Sequence, residues 1–243
     1  EVLFHDLALE APSPAERSLA IEMTKLAAEY AERGEAGQSA GAHPLGTSLR
    51  GDIRGRDELT LLYASAFLYG AGGGTWFLLE TQPTSGLTAT LPFALITATP
   101  VTTIAIVDHF SKLPRGVPHA ISAGLYVGLA ESVALVGLEH ARSDRIVAIQ
   151  PSADLRWSSA TTAGVLWAGA TGGALLGGAL GLSLPTTPGR VSWTASSALW
   201  SEALLGLTTA ALIPESNEYR AERAFGVAAL SAPAGLLGGA LLA

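Results

Sequence analysis

Residues 165–184 read VLWAGATGGALLGGALGLSL. Gly169, Gly173, Gly177 and Gly181 recur at every fourth position there, inside a stretch, 157–189, that holds no charged residue. Four-residue spacing puts the glycines on one stripe of a helix, where a second helix can approach backbone to backbone. In water each glycine costs a helix about 1 kcal/mol against alanine. In hydrocarbon the alternative to helix is worse, because unpaired N–H and C=O groups find no water. The stretch reads as a membrane-embedded helix built for close contact.

The rest of the composition agrees. Of 243 residues only 14% are charged, against about 25% in an ordinary soluble domain. Mean hydropathy is +0.37, and 28 residues are glycine. A net charge of −7 argues against nucleic acid as a partner, since phosphate binding needs clustered Lys and Arg. The absence of cysteine excludes disulfides, thiolate metal sites and cysteine nucleophiles. The chain starts at Glu1 and its one methionine is Met23, so it is expected to be processed or a piece of something longer.

Residues 1–58 form a polar segment with one amphipathic helix and a linker. Ser13-Pro14-Ala15-Glu16 is a capping-box start, and Leu19, Met23, Leu26 and Tyr30 follow at helical spacing to Gly34. This predicts a helix over about 14–33, whose apolar stripe can dock on the protein, a partner or a membrane surface. Residues 59–243 form the membrane-embedded domain. Six apolar segments cover 59–79, 81–107, 117–138, 165–184, 191–213 and 224–243. Each approaches the 20 or so residues that cross a hydrocarbon core as helix. Pro92 and Pro100 are expected to bend the second, and a connection is expected over 141–156.

Small-residue stripes run through most segments. Ala66-Gly70-Gly74 marks the first, Thr90-Ala94-Ala98-Thr102 the second, and Ala120-Gly124-Gly128-Ser132 the third. Thr194-Ala198-Glu202-Gly206-Ala210 marks the fifth and Ser231-Gly235-Gly239-Ala243 the sixth. The fold class predicted is all-α, a bundle of about six glycine-zipper transmembrane helices held by packing rather than by a hydrophobic driving force. Small residues followed by leucine and an aromatic recur at 65–69, 122–126, 163–167 and 196–200, a pattern of duplicated segments or of low complexity. Six basic residues on one side against five on the other leave orientation open. The alternative fold is a transmembrane β-barrel with two strands per segment. Runs such as Ala174-Leu175-Leu176 and Ala203-Leu204-Leu205 break the alternation a barrel needs, and Leu and Ala favour helix.

Glu131 and Glu202 are the candidate functional residues. Each lies inside an apolar segment, where a carboxylate is costly and marks an ion or proton pathway or a buried pair. Both sit on or beside a small-residue stripe and so face protein. The alternative is that each bonds a neighbouring hydroxyl and serves packing alone. Asp108, His109, His119, Glu139 and His140 lie at segment ends, but no His-x-x-x-His or Glu-x-x-His spacing supports a metal site. Trp76, Trp157 and Trp193 suit interfacial anchoring, while Trp167 and Trp200 read as packing residues. Residues 70–75 do not continue into a phosphate loop, and no serine elbow or zinc-protease motif is present. No enzyme activity, metal or cofactor is expected.

The stretches 58–83 (ELTLLYASAFLYGAGGGTWFLLETQP), 113–129 (LPRGVPHAISAGLYVGL) and 187–200 (TPGRVSWTASSALW) resemble glycine-rich cell-envelope membrane proteins of myxobacterial type. The resemblance covers most of 58–243 and implies envelope placement, inner or outer membrane, without supplying an activity or a catalytic residue. The expected function is a non-enzymatic anchor or scaffold in an envelope assembly. Its partners would be the lipid bilayer and other envelope proteins or copies of the chain. The alternatives are a channel or transporter using Glu131 and Glu202, and an outer-membrane barrel.

Overall fold

A computed structural model describes residues 55–150 and 155–242. Among these there are six α-helices and no strand, which sets aside the β-barrel. The helices are α1 (Arg56–Thr81), α2 (Gly86–Ser111), α3 (Val117–Ile149), α4 (Ser159–Ser183), α5 (Pro188–Leu212) and α6 (Arg220–Leu242). The amphipathic helix expected over 14–33 lies outside the described residues.

Side chains at the helix ends set several of these boundaries. Ser85, Ser158 and Thr187 each accept the backbone N–H three residues on, at 3.3, 3.0 and 3.3 Å, which satisfies a donor the helix leaves orphaned. Pro188 opens α5, where its missing N–H costs nothing. The second helix runs through Pro92 and Pro100 without interruption. One expectation needs correcting. The third helix does not end near Leu138 but continues to Ile149, because the charged turn after Leu138 finds partners: Arg145 Nε donates to Glu222 of α6.

Consecutive helices pair as three hairpins, α1 with α2, α3 with α4 and α5 with α6, and α3 also packs on α1, α5 and α6. Three of the four small-Leu-aromatic copies fall on the first helix of a hairpin, at 65–69, 122–126 and 196–200; the copy at 163–167 falls instead on α4. Polar links tie α3 to its neighbours. Ser65 Oγ of α1 donates to Tyr126 Oη at 3.1 Å, and His119 Nε2 pairs with Ser192 Oγ of α5 at 2.6 Å.

The tightest packing is between α3 and α4. A Cβ placed on Gly124 would lie 2.2 Å from Gly173 O, and one on Gly128 would lie 2.2 Å from Gly169 O. The reverse holds too: Gly173 faces Gly124 O and Gly177 faces Ala120 O, each at 2.1 Å, and Gly169 faces Ser132 Oγ. Gly181 meets Ala120 Cβ at 2.9 Å. Most of these neighbours are backbone, which cannot swing aside. In α1, Gly70 lies against Thr97 O and Gly74 against the Phe93 ring; in α6, Gly235 and Gly239 lie against Ser197. Gly206 is looser, 3.1 Å from Ala228 Cβ. The stripe Thr90, Ala94, Ala98 and Thr102 on α2 faces outward instead.

Residue size is sorted inside out. The buried apolar residues are mostly alanines, with Ala198 and Ala232 fully enclosed beside Val127. Two of the buried serines bond their own helix, Ser122 to Pro118 O and Ser132 to Gly128 O, so their hydroxyls arrive at the interface already satisfied. The large side chains point outward: Phe110 is 79% exposed, Leu230 80% and Leu241 86%. A water-soluble monomer does not display such a surface, and lipid accepts it. The helices α2, α3, α4 and α6 are long and apolar enough to cross a bilayer.

One end of the bundle is fastened by a residue that sequence reading assigned only to a charged collar. Glu58, 6% exposed, accepts the N–H of Gly55 at 3.4 Å and that of Gly116 at 2.8 Å. Gly116 has φ +82°, and a Cβ on it would lie 2.6 Å from Thr186 O, so no other residue fits there. One carboxylate thus joins the starts of α1 and α3 beside the α4–α5 turn.

Gly173→Ala is expected to destabilise the detergent-solubilised bundle by about 1–3 kcal/mol through overpacking. Gly172→Ala, one residue away and facing open space, should leave it within about 0.5 kcal/mol; denaturant titration followed by circular dichroism separates the two. Glu58→Ala should cost about 1–3 kcal/mol by orphaning the Gly116 N–H, read as faster amide exchange at Gly116.

Candidate functional site

The site lies where α5 and α6 meet α3. Glu202 falls on the buried face of α5, one turn after the fully enclosed Ala198 and one turn before Gly206. It is 9% exposed, and its Oε2 is buried with no hydrogen-bond partner among the described residues. A buried carboxyl oxygen left without a partner is expensive. Glu131, half-buried on α3, is close enough for its charge to act on Glu202. Among the described residues neither carboxyl group hydrogen-bonds a serine or threonine, as a packing-only role would have it do.

Glu202 borders an open cavity of about 820 Å³ between the three helices. Leu129, Ala130 and Val133 of α3, Leu199 and Leu207 of α5, and Phe225 of α6 form much of its wall. Tyr126 closes it on the α3 side, with its hydroxyl turned to Ser65. Asn217, Glu218 and Arg220 stand at the end toward the α5–α6 connection. Arg220 is engaged there: its Nε donates to Ala210 O at 2.7 Å, and its guanidinium lies 3.5 Å from Glu215. The cavity follows from local packing. Phe225 stands against Gly137 of α3, whose missing side chain makes room for the ring, and α5 and α6 touch loosely at Gly206 but tightly at Gly235 and Gly239.

Other sequence candidates do not join this site. His119 bonds Ser192, His140 bonds Val136 O of its own helix, and Glu139 accepts from Ser143 Oγ. Among the described residues no three of His, Asp and Glu are grouped as a metal site would need. Trp200, expected to pack, is 66% exposed. Trp76, expected at an interface, is instead stacked on Trp167 at 5.3 Å, and Tyr69 stacks on Trp167 at 5.5 Å. That three-ring stack went unread because no local spacing links α1 to α4. Gly73 and Gly164, which lie against Trp167 and Trp76, were the available signal.

Comparison with known protein families, with characterised proteins and with solved structures gives no match.

Dicyclohexylcarbodiimide reacts with protonated carboxyl groups in apolar surroundings. Mass spectrometry after labelling in detergent is expected to find the adduct on Glu202 ahead of the exposed Glu215 and Glu218. Labelling at the exposed carboxyls with Glu202 untouched would contradict the described environment.

Proposed function

We propose that the protein is a non-enzymatic integral membrane carrier that exchanges a proton for a cation at Glu202, with Glu131 as the second carboxyl group. The observation that carries this reading is that Glu202, with one carboxyl oxygen buried and unpartnered among the described residues, lines an open cavity between α3, α5 and α6. A lone carboxylate there is too costly to leave bare, so the group holds either a proton or a cation. Exchange between them is the chemistry such a site can perform: the cation binds the carboxylate as the carboxyl proton leaves. Glu131 places a second negative charge nearby and favours the occupied state.

In this reading all six helices span the bilayer. α1 and α5 have 26 and 25 residues, about 38 Å of helix at 1.5 Å per residue, although they are less apolar than the other four. The glycine contacts act as zippers that hold the hairpins rigid around the site. The resemblance of 58–83, 113–129 and 187–200 to envelope proteins supports a cell-envelope membrane.

A second reading, an anchor or scaffold, is favoured by a different observation. The small-residue stripe Thr90, Ala94, Ala98 and Thr102 on α2 is exposed and could receive a helix from another envelope protein or a second copy.

The exchange reading is tested in proteoliposomes with entrapped pyranine, to which inorganic and organic ammonium cations are added in turn. At least one cation should evoke proton movement in the wild type, at a rate at least tenfold above Glu202→Gln. Flat traces for every cation, or equal rates in wild type and variant, would leave the scaffold reading in place.

A further inference from the structure

We infer that the cavity beside Glu202 binds a lipophilic cation, an amine or onium ion with a bulky apolar body, its charge against the Glu202 carboxyl group. This rests on the exchange reading and specifies the cation.

Three observations select that class. The first is size: about 820 Å³ suits an organic molecule and far exceeds the space one desolvated metal ion needs. A metal ion would also want several oxygen or nitrogen ligands, and among the described residues no such group of acidic and histidine side chains exists.

The second is charge. The acidic and basic side chains bordering the cavity are Glu202, Glu218 and Arg220, with Glu131 acting on Glu202 from α3. Arg220 is already held by Ala210 O and Glu215. The unspent charge is negative, so an anionic amphiphile is repelled. A neutral lipid chain offers the Glu202 carboxyl group no counter-charge, and a cation does.

The third is the wall. Apart from Glu202 and the polar end at Asn217, Glu218 and Arg220, the lining is aliphatic, with two aromatic rings, Tyr126 of α3 and Phe225 of α6. Such a surface pays no desolvation cost against an apolar ligand body, and ring faces add attraction for a positive charge. A small hydrated cation would have to shed water into this wall for one carboxylate in return. A cation whose charge is buried within an apolar shell sheds little.

The approach is from the bilayer. Ala203 and Leu207 line the cavity and are also exposed on the outer face of α5, Leu207 to 70%. A lipophilic cation concentrates in the membrane and would enter between α5 and α6 at that height.

Tetraphenylphosphonium is the probe. Isothermal titration of the full chain in detergent is expected to show saturable binding, weakened at least tenfold by Glu202→Gln. Ala203→Trp should weaken it similarly by filling the cavity from its exposed side. Ala203 is outside the packed interior, so this variant should keep the wild-type circular dichroism and melting curve and remain informative even if Glu202→Gln folds poorly. No saturable binding, or binding that neither variant changes, would overturn the assignment. If cation-evoked proton movement then still depends on Glu202, only the ligand class has failed. If it does not, the exchange reading has failed as well.

Discussion

The contact on which the structure depends is the backbone-to-backbone approach of α3 and α4 through Gly124, Gly128, Gly169, Gly173 and Gly177. Lipid is as apolar as leucine, so no hydrophobic force draws helices together within it. What remains is dispersion between surfaces that fit, with a few interhelical hydrogen bonds. Removing side chains lets two helices fit more closely than any pair of leucines. With the α3–α4 pair fixed, α3 becomes the element on which α1, α5 and α6 are placed.

The candidate site is a consequence of where that close fit lapses. α5 and α6 meet tightly where Gly235 and Gly239 lie on Ser197, and loosely at Gly206. The cavity lies along the looser part, with the Phe225 ring seated over Gly137. Glu202 belongs to the same stripe as Ala198, so the geometry that buries the alanine also buries the carboxyl group. Small residues make the bundle, and a single large polar residue among them makes the site.

Much of this was legible in the sequence because period and residue size carry it. The fourfold glycine spacing of 165–184 put one stripe on a helix, and that helix is α4. Glu131 and Glu202 stood out because charge is rare in their segments. What could not be read was whatever depends on partners far apart in the chain. Glu58 looked like part of a polar collar, since its bond to Gly116 spans 58 residues. Trp76 and Trp200 were assigned from depth along a segment, which says nothing of the face a side chain takes. The end of α3 was misplaced because the charged stretch 141–156 read as a connection, whereas Arg145 reaches Glu222 on another helix. The cavity itself had no signature, because it is space left between three helices.

The central claim is that small residues face the protein and large ones face lipid. Brominated acyl chains quench tryptophan fluorescence on contact, and the chain offers a matched pair. Trp200 is exposed on α5, and Trp167 is held in the stack between Tyr69 and Trp76. Variants keeping only one tryptophan each, reconstituted in bilayers of dibrominated phosphatidylcholine, should show strong quenching of Trp200 and much weaker quenching of Trp167. Equal quenching of the two would contradict the packing described, and no quenching of either would contradict a place in the bilayer.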